Sequence, residues 1–117
     1  MSAADLDITG YELESAEERH RQSPETFPIP SRRERSELGV GARVQLLVLL
    51  GGHDESGAFV QCERLWVTIR RREGQGFLGA LETAPVTTNA LRPGDTIAFG
   101  IEHVARILRA GRPASVF

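Results

Sequence analysis

The sequence predicts an α+β domain, a small curved antiparallel sheet or partial barrel of about five strands entered through a short helical N-terminal segment. Three observations carry this expectation. Runs of β-branched and aromatic residues recur at close spacing between glycine- and proline-containing turns in the C-terminal two thirds of the chain. Helix-capping signals fall before Gly39. The chain has 117 residues, 40% of them hydrophobic, enough for one core and too few for two domains of ordinary size.

Taken in order, Thr9-Gly10-Tyr11-Glu12 has capping-box spacing ahead of LESAEERHRQ and predicts a helix. Its apolar stripe is narrow, so this helix needs a partner surface. Phe27-Pro28-Ile29-Pro30 forces an extended path, because a residue before proline is pushed out of the α region. Phe27 and Ile29 are expected to pin that segment to the body. Ser31-Arg32-Arg33-Glu34 is a second capping box, opening a short helix that stops at Gly39.

Arg43 to Leu50 reads as a strand with Val44, Leu46, Val48 and Leu50 on one face. Leu47 and Leu49 break the alternation, which predicts cover on both faces at its far end. Gly51 to Gly57 reads as loop. Phe59 to Arg72 is the longest strand candidate, followed by a connection at Glu73-Gly74-Gln75-Gly76. Phe77 to Leu81 is the next strand, with Gly79 marking a bend or a close backbone approach. Arg92-Pro93-Gly94-Asp95 has proline and glycine where a type II turn places them. Thr96 to Phe99 and His103 to Leu108 complete the strands.

Charge divides the chain. Residues 1–37 carry nine acidic and five basic side chains, a net of −4, and residues 38–117 carry seven and nine, a net of +2. The expected organisation is an acidic, partly helical, loosely attached arm over residues 1–25 and a single β-rich domain over 26–117. The arm is expected to lie across the basic stretch Arg70-Arg71-Arg72.

Composition removes several chemistries. All fourteen basic residues are arginine, so lysine Schiff bases and a phosphate-loop lysine are absent. Cys62 is the single cysteine, which excludes an intrachain disulfide and a cysteine-based zinc site. The overall charge of −2 gives no pull toward nucleic acid. The acidic start is not expected to act as a signal peptide, and Val44 to Leu50 is too short to span a bilayer. A reducing, cytoplasmic setting is expected, and the arginine-only usage suits a bacterium.

Four stretches carry a resemblance when taken together. FPIPSRRERSELGVGARVQLLV is similar to the leading segment of the bacterial family known as domain of unknown function 2314, with Gly41-Ala42 where that family often has Gly-Asp. Glu63-Arg64-Leu65-Trp66-Val67 resembles its E-R-M-W-V strand. Gly79-Ala80-Leu81-Glu82-Thr83-Ala84-Pro85 resembles its G-x-L-x-N-x-P stretch, with threonine in place of asparagine. Gly94-Asp95-Thr96-Ile97-Ala98-Phe99 and then Glu102-His103 resemble its closing motifs. The resemblance covers residues 26–107 and implies a small β-rich domain with no established activity. By analogy of domain type it also suggests an immunity role against a toxin.

Three site hypotheses follow. On a strand, Arg64 and Trp66 share one face, and an exposed tryptophan beside an arginine suits a protein interface. A lone tryptophan in a small domain is more often core, and that is the competing reading. Together with Arg70 and Arg72, expected on one face, these residues form the proposed contact surface of a non-catalytic binding module with a protein partner, immunity-type or regulatory. The alternative is a small-molecule sensor or small enzyme in which His53, Asp54 and Glu55 meet Glu102 and His103 in one pocket. The third is an RNA-binding barrel using Arg70, Arg71 and Arg72, for which the basic surface is small. The histidine spacing matches no metal motif, and no metal or cofactor is expected.

Overall fold

A computed structural model describes residues 10–108. Six strands form one curled antiparallel sheet, a half-barrel with two short helices. The strands are β1 (Tyr11–Leu13), β2 (Arg43–Asp54), β3 (Gly57–Glu73), β4 (Gly76–Leu81), β5 (Thr96–Phe99) and β6 (Val104–Leu108). The helices are α1 (Ala16–Gln22) and α2 (Arg32–Ser36), and a 3₁₀ turn at Ile101–His103 links β5 to β6. The sheet runs β1-β2-β3-β4-β5, with β6 also on β2. The expected fold class is therefore the one observed.

The inner face of the curl holds the main core. Val44, Leu46, Val48 and Leu50 of β2 meet Leu65, Val67 and Ile69 of β3, Phe77 and Leu81 of β4, and Ile97 and Phe99 of β5. Gly79 sits among them because a Cβ there would lie 2.3 Å from Val67 Cγ1 and 2.9 Å from the Thr68 carbonyl oxygen. This is the close approach its position in the strand predicts. The type II turn also forms: Gly94 has φ +98° and the Asp95 N–H donates to the Arg92 carbonyl at 3.0 Å.

A second, smaller cluster lies on the outer face. Ala16, Phe27, Leu47 and Ala105 are buried together, with Ile29 packed against them. Leu47 is thus buried on the face opposite Val48, as its break in the alternation predicts. Phe27 and Ile29 pin the extended segment as expected. The same cluster supplies the partner surface that α1 needs, since its only buried residue, Ala16, belongs to it.

Of the arm expected over residues 1–25, residues 1–9 lie outside the described residues. The remainder packs on the body, β1 along β2 and α1 through Ala16. Tyr11-Glu12 is strand and not the first turn of a helix. β6 covers the edge of β2 only up to Leu46, leaving Val48 to Leu50 to pair with Leu13 to Tyr11. A ladder made with a distant strand wins over a local capping signal. The helix starts later, where the Ser15 side chain accepts the Glu18 N–H. The second capping box forms as read, with Ser31 and Glu34 bonded reciprocally, and its helix ends at Ser36.

The glycines after Leu50 continue β2 to Asp54. Gly52 pairs with Phe59, and a Cβ there would lie 2.6 Å from the Phe59 ring. The stretch read as loop is therefore mostly ladder, and only Glu55-Ser56 turns. His103 belongs to the 3₁₀ turn, so β6 starts one residue later than expected.

Candidate functional site

β3 carries the residues of the expected contact surface. Leu65, Val67 and Ile69 are buried on its inner face, which places Arg64 and Trp66 together on the outer face. Trp66 is half-buried and belongs to neither hydrophobic cluster. Its backbone is fixed on the side away from β2: the N–H donates to Thr83 Oγ1 at 3.0 Å, and the carbonyl accepts the Glu82 N–H at 2.8 Å. Thr83, at the position where the resemblance has asparagine, thus holds the tryptophan strand.

Trp66 faces Gln45 across the sheet, and Gln45 faces Arg106 on β6. Gln45 is 7% exposed, and its Oε1 has no hydrogen-bond partner. One step along the strands, Arg43 clamps Glu82 through Nε at 3.1 Å and Nη2 at 2.7 Å, and Thr68 Oγ1 donates to the same carboxylate. On the other side of Trp66, the Arg64 guanidinium lies 5.3 Å from the Phe27 ring centroid, and that of Arg19 lies 4.9 Å from the same centroid. This is cation–π packing over the ring. The outer face therefore reads as a row of arginine, tryptophan and a buried amide on a rigid three-strand platform.

Arg70 and Arg72 do not share a face. Ile69 pairs with Gly79 while Arg71 pairs with Leu78, so Arg70 is the extra residue of a β-bulge. The bulge reverses the alternation beyond it. Arg72 pairs with Phe77 and turns to the core side, its guanidinium 5.0 Å from that ring. Its Nη1 donates to the carbonyls of Ser36 and Leu38 at 3.1 and 3.0 Å. Arg70 stays exposed on the outer side. Arg71 binds Glu73 at 3.0 Å, so within the described residues this basic stretch meets the end of α2 and its own strand, not an acidic helix.

The alternative pocket does not assemble. Glu102 and His103 line a groove of about 910 Å³ between α2, the β3–β4 turn and the 3₁₀ turn, together with Arg32, Arg72 and Phe99. His53, Asp54 and Glu55 stand at the tip of the β2–β3 hairpin, where Asp54 Oδ1 accepts the Ser56 N–H at 2.7 Å. Leu46 pairs with Val104 beside His103, and His53 lies seven residues further along β2. At about 3.3 Å per residue the two histidines are roughly 23 Å apart. No group of three His, Cys, Asp or Glu among the described residues is placed to hold a metal.

His103 is committed to the fold. Its Nδ1 accepts the Gly100 N–H at 2.9 Å, and Nε2 faces Glu102 at 3.7 Å. A neutral ring with Nδ1 as acceptor carries its proton on Nε2, so neither nitrogen offers a free lone pair for base catalysis. Burial lowers its pKa against the opposing pull of Glu102 and Glu17. Partial burial and the Glu14 carboxylate 3.6 Å away push the Cys62 thiol up, away from the thiolate form.

Two residues organise the surroundings without having been singled out from the sequence. Arg35 is 5% exposed and binds Glu17 at 2.6 Å, the Ile101 carbonyl at 2.8 Å and the Pro30 carbonyl at 3.0 Å. It ties both helices to the 3₁₀ turn. Glu63 receives the Val86 and Thr87 N–H groups and the Thr87 hydroxyl, fixing the loop before β5. Burial alone would raise its carboxyl, and these donors outweigh it to hold the carboxyl below the usual range. Glu34-type capping glutamates announce themselves by spacing, whereas these two contacts join residues far apart in sequence and leave no local signal.

Comparison with family models, with curated proteins and with solved structures found no match.

Proposed function

We propose that this chain is a non-catalytic binding module whose outer sheet face, centred on Trp66 with Arg64 and Arg106, contacts a protein partner. One observation carries the reading: the single tryptophan stands outside both hydrophobic clusters, on a face with exposed arginines on either side. Tryptophan and arginine are the residue types that dominate binding energy at protein interfaces. The β2–β3–β6 platform holds them in fixed geometry, which limits the ordering cost of association. Arg70 is available at the rim, and Arg72 is not part of this surface.

The reading includes a bacterial, cytoplasmic setting and membership of the domain of unknown function 2314 family, supported by the motifs around Trp66 and Gly79. A toxin-neutralising immunity role is its most concrete form. No described helix is long and apolar enough to cross a membrane. RNA binding has less support, because the bulge leaves only Arg70 and Arg71 outward and ties Arg71 to Glu73.

The test compares the wild type with Trp66→Ala and Arg64→Glu as baits for the product of a neighbouring gene. Retention by the wild type and loss in both folded variants supports the reading. Binding that both variants retain, or recovery of a metabolite alone, contradicts it. A second reading places a small ligand in the groove beside His103. It is favoured if a ligand is recovered whose binding changes in Arg32→Ala and not in Trp66→Ala.

A further inference from the structure

Among the described residues, the edge of β3 ahead of Trp66 is open. β4 pairs with β3 only from Val67 onward, and β2 occupies the other side. The direction of each free backbone group follows from Trp66, whose N–H and carbonyl point away from β2 to Thr83 and Glu82. Antiparallel ladders alternate, so the backbone groups of Arg64, Cys62, Val60 and Ala58 point to that same outer side. Among the described residues no strand pairs with them there.

This edge lacks the usual protection. Exposed edge strands are normally guarded by charge, proline or a bulge. The stretch Gly57-Ala58-Phe59-Val60-Gln61-Cys62 has no charged residue and no proline, and it runs without a register shift. Val60 is 39% exposed on it. Val86 is 92% exposed on the loop that Glu63 anchors to the same strand.

We propose that this edge pairs antiparallel with the same edge of a second copy of the chain, Val60 opposite Val60, forming a two-fold dimer with a continuous sheet. In that register Ala58 faces the second copy's Cys62, and Ala58, Val60 and Cys62 each exchange both backbone hydrogen bonds. The segment is neutral, so an identical strand meets no like charge, and a two-fold axis makes the contact self-complementary. Continuing the register, Arg64 falls opposite the second copy's Ser56, beside the exposed acidic turn at Asp54-Glu55. The ends of the pairing are thus complementary in charge while its centre is apolar. The pairing uses the edge of β3 and not the outer face proposed above as the partner surface, and it shares only Arg64 with that surface.

The experiment measures mass in solution by light scattering over a concentration series. The wild type is expected at twice the 12.8 kDa of the chain at high concentration. Val60→Pro and Val60→Lys are expected at the single-chain mass with unchanged circular dichroism. The Val60 N–H points away from β2, so proline there spares the internal ladder, and lysine serves if proline disturbs the strand. Ala58→Cys is expected to give a covalent dimer on mild oxidation, through Cys62 of the second copy, far beyond what the wild type gives. A wild type that stays at the single-chain mass, a dimer that survives both Val60 variants, or no gain in crosslinking by Ala58→Cys would overturn the proposal.

Discussion

Arg35 shows how much one side chain can hold when its charge is matched. At 5% exposure its guanidinium is nearly dry, and Glu17 and two carbonyls satisfy it. Removing it strands the Pro30 and Ile101 carbonyls and leaves the partly exposed Glu17 only its longer contact with Arg32, so Arg35→Ala is expected to cost about 2 kcal/mol or more in urea denaturation. A loss within about 0.5 kcal/mol, the scale of an exposed ion pair, contradicts the assignment. The hydrogen bond from Arg35 also holds the Glu17 carboxyl below its ordinary range. His103 gives a second prediction at this scale. Burial lowers its pKa from 6.5, so the unfolded chain takes up the proton first as pH falls. The stability it contributes is present above about 6.5 and is lost as pH falls through its folded pKa. His103→Asn keeps an acceptor for Gly100 and does not titrate, so stability curves of wild type and variant are expected to diverge below that pH. Parallel curves would remove His103 as the cause.

Elements were legible where their cause is local. Ser31 and Glu34 satisfy one another within a single turn, and Pro93-Gly94 sets its own dihedrals, so spacing alone predicts both. Elements whose cause is a distant strand were not. The box at Thr9 to Glu12 gave way to pairing with β2, and the glycines after Leu50 are ladder, with Phe59 filling the space that the missing Cβ of Gly52 leaves. The two bulges are the sharpest case. Arg70 and Ala105 are extra residues only relative to β4 and β2, so no period-2 reading of one strand can place Arg72. Two predictions belong here. Phe27 joins the extended segment to the outer face, and Phe27→Ala is expected to lose about 3 kcal/mol or more. Gly79→Ala puts a methyl group against Val67 and the Thr68 carbonyl, at an expected cost of about 1–3 kcal/mol. Thermal unfolding reads both, and a neutral outcome for either would show that the cluster or the close approach does not support the sheet.

At the scale of the molecule, the half-barrel uses its two faces differently. The inner face is filled by the main core, and the outer face is shared between the small cluster around Phe27 and the exposed row around Trp66. The sequence pattern made Arg64 and Trp66 neighbours on one face, because β3 alternates regularly up to Ile69. It did not show that the tryptophan is left outside the core, since that depends on which face α1 and the Phe27 segment cover. Nor did it separate His53 from His103, a separation set by the length of the β2–β3 hairpin. The proposed role of Trp66 is contact with another molecule and not packing. Equilibrium unfolding of Trp66→Ala beside Leu46→Ala measures this most directly. Leu46→Ala, at 0% exposure, is expected to lose about 3 kcal/mol, while Trp66→Ala stays within about 1.5 kcal/mol of the wild type. A loss for Trp66→Ala equal to that of Leu46→Ala would make the tryptophan a core residue and contradict the account.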